Sequence, residues 1–119
     1  MITAYKIYTG EDGHSHFVKG KVLDNYLTNA LQIRFRETPP FSSYDWHPAP
    51  TIQYVISLTG TLEFTVHSGE TFVLRPGEIL IAMDTTGSGH TWRLIDDQPW
   101  KRAYVTFDAD KEMLFVEER

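Results

Sequence analysis

Apolar and polar residues alternate with a period of two in short runs, and glycine or proline interrupts the runs at short intervals. Successive side chains of a strand point to opposite faces, so this rhythm predicts an all-β domain rather than βαβ units; helical periodicity is hard to find. The expected strands are Leu31–Arg36, Thr51–Leu58, Thr61–Val66, Phe72–Leu74, Ile79–Met83, Thr91–Ile95 and Lys101–Phe107. Between Leu74 and Ile79, Arg75-Pro76-Gly77-Glu78 reads as a turn, with proline presetting φ at its second position and glycine supplying φ > 0 at its third. Residues 108 to 119 are charged and predict a short helix or a frayed tail.

A two-residue loop at Thr59-Gly60 would set Leu58 opposite Thr61, Val55 opposite Phe64 and Gln53 opposite Val66. One face then carries Gln53, Val55, Ser57, Leu62, Phe64 and Val66 and reads as the interior of a barrel. The other carries Ile52, Tyr54, Ile56, Leu58, Thr61, Glu63, Thr65 and His67, so Glu63 and His67 point outward and are poor metal-ligand candidates. The row Ile52, Tyr54, Ile56 and Leu58 needs a cover, from a partner subunit or from the N-terminal segment. In the next hairpin Ser68-Gly69 favours a two-residue turn, whereas placing Phe72 and Leu74 inside with Phe64 and Val66 requires a three-residue loop; both stay open here.

At 119 residues the chain is the size of one domain, spanning 1–119, with no internal repeat, linker or low-complexity segment. The 13% aromatic content is high enough to line a pocket as well as fill a core. There are 11 basic against 16 acidic side chains, a net charge of -5, and no basic cluster that would neutralise a row of phosphates. Nucleic acid is therefore not an expected partner. With no cysteine, a disulfide framework, a thiolate zinc site and a cysteine nucleophile are all excluded. No apolar stretch approaches the ~20 residues needed to span a bilayer, so a soluble cytoplasmic protein with no membrane partner is expected.

The segment from Asp45 to Trp92 contains His47, Pro48-Ala49-Pro50, Gln53, Gly60, the Pro76-Gly77 turn and Asp84-Thr85-Thr86-Gly87-Ser88-Gly89-His90. This order resembles the cupins, small β-barrels or jelly rolls whose first motif reads G-x5-H-x-H-x3,4-E-x6-G and whose second reads G-x5-P-x-G-x2-H-x3-N. Gln53 stands at the glutamate position of the first motif, His47 at the first histidine and Ala49 at the second. In the second motif Met83 replaces the proline and a longer loop leads to His90. The resemblance covers about Leu31 to Phe107 and implies a cupin-like jelly-roll β-barrel with its core at about 31–107. It is similar to a bacterial subgroup of small single-domain cupins of mostly unassigned function.

In metal-binding cupins three histidines and a glutamate hold one divalent ion, commonly iron, manganese, zinc or nickel. The resemblance carries over His47, Gln53 and His90 only, one imidazole short and with a neutral amide for the anionic ligand, so it implies either one weakly held ion or none. His14 and His16 alternate by two and share a face if extended, which would bring His16 to the barrel mouth as a further ligand. Without metal, His47 and His90 read as a hydrogen-bonded polar pair at the rim.

Trp46 and Trp92 flank the two histidines, and with Phe64 and Val55 they are the expected pocket walls or core. Arg34 and Arg36 share a face opposite Ile33 and Phe35, a pattern that usually marks a solvated face. On the lumen face, Arg34 and its neighbour would instead anchor a carboxylate or phosphate. Asp84 to Gly89 lacks the lysine and following helix of a phosphate loop and reads as a flexible loop positioning His90. No Ser-His-Asp arrangement is indicated.

Three functions are consistent with these residues. The favoured one is a small-molecule-binding cupin with a reduced ligand set, acting as a sensor or accessory protein. The second is a metal-dependent isomerase, lyase or oxygenase acting on a small organic or carbohydrate-derived substrate by Lewis-acid activation. The third is a protein-interaction module using the outer apolar face. A homodimer is expected, through strand exchange or through the Ile52 and Tyr54 face.

Overall fold

The structure, a computed structural model, describes residues 1–108 and 114–118. Among these the strands are β1 (Thr3–Thr9), β2 (Ser15–Val22), β3 (Gln32–Thr38), β4 (Ser43–His47), β5 (Gln53–Thr59), β6 (Leu62–Val66), β7 (Thr71–Leu74), β8 (Ile79–Met83), β9 (His90–Leu94), β10 (Trp100–Thr106) and β11 (Phe115–Glu117). They form a seven-stranded sheet in the order β11-β2-β1-β8-β5-β10-β3, and a four-stranded sheet in the order β4-β9-β6-β7.

The antiparallel pairs nest: β6 pairs with β7, β5 with β8, β4 with β9 and β3 with β10. Alternate pairs lie in opposite sheets, as when one long ribbon is rolled up, and this is the jelly-roll topology. The rolled part runs from Gln32 to Thr106. β1 then adds in parallel to β8, and β2 and β11 extend the same edge. At the other edge β3 is open to solvent.

The interior face is as expected: Gln53, Val55, Ser57, Leu62, Phe64 and Val66 are all buried. The pairing is not. β5 lies between β8 and β10 while β6 lies between β9 and β7, so Val55 does not face Phe64, nor Gln53 Val66. Thr59 to Thr61 is a corner between the sheets, where Gly60 turns with φ 89° against the Pro99 carbonyl and the Trp100 backbone. Strand periodicity fixes which side chains share a face, and it does so whether the next strand pairs or crosses over. The hairpin left open resolves to three loop residues: the Val66 N–H donates to the Glu70 carbonyl and Thr65 faces Thr71, leaving His67-Ser68-Gly69 between.

Phe64, Phe72, Leu74, Trp92 and Trp100 belong to the core packed between the sheets. A second cluster lies on the outside of the large sheet, where Tyr54 stacks on Phe107 at 4.3 Å with Ala4, Val22 and Ile81 around them. Leu114 and Phe115 pack against it. The chain's own C-terminal stretch thus covers Tyr54 and Ile52, while Leu58 at the end of the same row is 52% exposed. β10 runs beside β5, so the chain leaving β10 falls onto that face. Where a helix or tail was expected, β11 pairs with β2; the rest of that expectation, at 109–113 and 119, lies outside the described residues.

Candidate functional site

Between the sheets lies a cavity of about 410 Å³, open toward the β3 and β4 side and lined by residues of both sheets. Its polar wall begins at His47 and His90, which are Cα partners across β4 and β9 with ring centroids 4.6 Å apart. That approach depends on Gly89. Its φ of 74° suits glycine, and a Cβ there would collide with the His47 carbonyl.

The His90 Nδ1–H donates to Asp84 Oδ2 at 2.6 Å, and the same oxygen accepts the Ser15 hydroxyl at 2.6 Å. Asp84 and Ser15 are fully buried. The bond to this carboxylate places a proton on His90 Nδ1 and leaves Nε2 free of the contact. This is a Ser-Asp-His chain in the wrong order for nucleophilic catalysis, since the serine donates to the carboxylate and not to the imidazole. The His47 Nδ1–H donates to the Asp45 carbonyl at 2.6 Å, with the same result for its Nε2. Burial holds His47 below the ordinary histidine pKa, opposed by the Asp45 bond and reinforced by the neighbouring His90.

On the opposite wall, β3 and β10 turn Arg34, Arg36, Arg102 and Tyr104 into the cavity. The apolar residues of β3 face the other way: Ile33 is 61% and Phe35 71% exposed. Arg102 is 3% exposed. Its Nε–H donates to Tyr104 Oη at 2.9 Å, its Nη1 donates to Thr38 Oγ1 at 2.6 Å and to the Trp100 carbonyl at 3.0 Å, and its plane lies 3.8 Å from the Trp100 ring centre. Burial lowers its pKa, the Tyr104 contact opposes this, and the charges of Arg36 and Arg34 add to the lowering. Arg34 lies over the Tyr104 ring at 4.7 Å.

Seven of the expected site residues meet at the lumen: His47, Gln53, His90, Trp92, Phe64, Val55 and Arg34. Gln53 is 4% exposed and lines the cavity. Two do not reach it. Trp46 is 48% exposed and its ring lies edge-on to His67 outside the barrel, because a register irregularity in β4 between Tyr44 and His47 brings Tyr44 against His47 instead. His16 binds the Asp12 carboxylate at 3.0 Å in its own hairpin. His14, the residue two before it, stacks on His67 at 3.9 Å and hydrogen-bonds Ser88 Oγ at 2.8 Å. This contact, with Ser88 N–H to the Gly13 carbonyl and Thr9 Oγ1 to the Thr86 carbonyl, pins the Asp84–Gly89 loop that was expected to be flexible. Glu63 points outward as expected, onto Arg93 at 3.0 Å.

Asp84, Ser15 and Arg102 were not singled out from sequence. Trp100, Arg102 and Tyr104 alternate along β10, a signal that places them on one face. Nothing local links Ser15 to Asp84.

As a cation site the lumen is ill suited. Its donors are two imidazoles and a neutral amide; Asp84 is engaged behind His90, and three guanidinium groups share the cavity. Among the described residues no group of three or more histidine, aspartate or glutamate side chains is placed to hold a metal ion.

No family model matches the chain. Over 78 residues it is 27% identical to oryzines biosynthesis cluster protein J of Aspergillus oryzae, a match covering 65% of this chain and 42% of that protein; the chain thus spans less than half of that relative's length. Among solved structures it is similar to the Schizosaccharomyces pombe Cnp3 cupin domain, with TM-score 0.49 and 18% identity over 90% of this chain and 83% of that one. A second is the Cupin_2 domain of an XRE family transcriptional regulator from Enterobacter cloacae, with TM-score 0.36 and 19% identity over 91% of this chain and 99% of that one. In its nested strand pairs the chain has the jelly-roll β-barrel fold.

Proposed function

We propose that the domain binds a small molecule in the lumen between its sheets. The observation that carries this reading is the set of polar groups gathered on the walls of the cavity: Gln53, His47, His90 and the Arg102 guanidinium. Such convergent polar groups in a concave, largely aromatic site offer a bound molecule its hydrogen-bond partners. A pure interaction module would gain nothing by keeping such a cavity, and among the described residues the lumen offers a metal ion only two imidazoles and a neutral amide, beside three guanidinium groups.

The Ala82→Leu variant tests the reading, because Ala82 lines the cavity from β8 and a larger side chain would fill it. Protein purified without added metal and without a histidine tag is denatured, and what it releases is identified by mass spectrometry and metal analysis. A defined organic compound that is lost in Ala82→Leu is the expected result. Near-stoichiometric metal that disappears in a His47→Ala, His90→Ala variant would overturn it in favour of the metal-dependent enzyme.

A further inference from the structure

Arg36 and Arg102 are Cα partners across β3 and β10, and both side chains turn into the cavity. Like charges directly opposed across a sheet are destabilising, the more so when one is almost fully buried. A folded chain ordinarily relieves such a pair with a carboxylate. Among the described residues no aspartate or glutamate lines the cavity, and none forms an ion pair with Arg34, Arg36 or Arg102. Arg102 is held instead by neutral groups, the Tyr104 hydroxyl, the Thr38 hydroxyl and the Trp100 carbonyl, and by its stack on the Trp100 ring. These contacts fix the guanidinium plane and use Nε and Nη1, leaving Nη2 uncommitted. The fork is therefore oriented in advance, in a partly closed site with aromatic walls, and its charge is not neutralised by the protein.

We propose that the ligand of the lumen is an organic anion whose carboxylate or phosphate group sits on Arg34, Arg36 and Arg102. This rests on the reading of the lumen as a ligand site and narrows it to one chemical class. Carboxylate and phosphate share the planar or tripodal oxygen array that guanidinium forks bind in pairs. The polar groups across the cavity, Gln53, His47 and His90, would meet the rest of the molecule.

Three probes of similar size separate the cases: gluconate, glucose 6-phosphate and sorbitol, each followed by thermal unfolding and by the fluorescence of Trp92 and Trp100 on the cavity wall. The decisive variant is Arg36→Gln, since the Arg36 side chain is exposed and makes no hydrogen bond among the described residues, so the fold does not depend on it. Without ligand, Arg36→Gln is expected to unfold at a slightly higher temperature than the parent, because the opposed charges are relieved. With ligand, gluconate or glucose 6-phosphate raises the parent's Tm in a concentration-dependent way while sorbitol does not, and Arg36→Gln weakens the anion by about tenfold. A response to gluconate alone assigns a carboxylate, and a response to glucose 6-phosphate alone a phosphate ester. Sorbitol binding as tightly as the anions, or unchanged anion affinity in Arg36→Gln, overturns the anion assignment and leaves a ligand-binding lumen standing. Failure of both anions to bind overturns it as well, and the Ala82→Leu comparison then decides whether the lumen binds anything.

Discussion

His47 and His90 were legible from sequence by their spacing, whereas Asp84, which bonds His90 Nδ1, was not. Asp84 and Ser15 are buried together although they lie 69 residues apart, Ser15 outside the rolled ribbon, and no local pattern announces a contact that the topology makes. Arg34 was legible only as one of a pair sharing a face. Hydrophobicity points to Ile33 and Phe35 as the inner residues of β3, and the structure reverses this because the inner side of that strand borders a polar cavity. His47 supports a pH prediction at this scale. In the unfolded chain it titrates near its ordinary value of 6.5, and in the folded protein burial lowers that value, with His90 beside it and the more distant Asp84 opposing. Just below 6.5 the unfolded chain therefore binds more protons, so this residue's contribution to stability is lost as pH falls and is constant above 6.5. Denaturant unfolding of the parent and of His47→Gln between about pH 8 and pH 5 should show the parent losing stability relative to the variant on acidification. A relative gain by the parent would contradict burial as the dominant cause.

At the level of elements, period-two alternation placed most strands of the rolled region and the inner face of β5 and β6, but it is blind to partner choice. A strand that crosses to the facing sheet keeps the same parity as one that pairs with its neighbour, so the corner at Gly60 and a hairpin look alike in sequence. β4 escaped notice because its residues, Ser43 to His47, carry exposed aromatics and a histidine rather than alternating aliphatics. Yet β4 sets the site, and its approach to β9 depends on one glycine. Gly69 and Gly89 both have positive φ, 92° and 74°, but a Cβ at Gly69 meets nothing within 4 Å while one at Gly89 runs into the His47 carbonyl. Gly69→Ala should then lose only the backbone term, about 1 kcal/mol, and Gly89→Ala about 2–3 kcal/mol because β4 must also move. Thermal unfolding measures both. The imidazole NMR signals of His47 and His90 should shift in Gly89→Ala alone, and equal costs for the two variants would mean that β4 yields freely.

Across the whole molecule, charge is distributed against the average: a chain with net charge -5 gathers three of its cations around one cavity, and no carboxylate among the described residues lines its walls. An acidic exterior repels free anions, so the arginines act at short range, within the cavity, rather than by drawing ligands from a distance. Their responses to salt must differ. Arg34 and Arg36 are exposed and their attraction is screened over a Debye length of about 10 Å at 0.1 M and about 3 Å at 1 M. Arg102 is buried, and its field inside the lumen is screened far less. Titration of the better-binding of gluconate and glucose 6-phosphate in rising potassium chloride should show affinity falling and then levelling, with the residual carried by Arg102. In Arg36→Gln the fall should be shallower and the plateau unchanged. An Arg102→Gln variant, checked for native unfolding cooperativity, should lose the plateau while retaining the salt-sensitive part. Identical salt dependence in all three proteins would mean that the anion rests outside the arginine cluster.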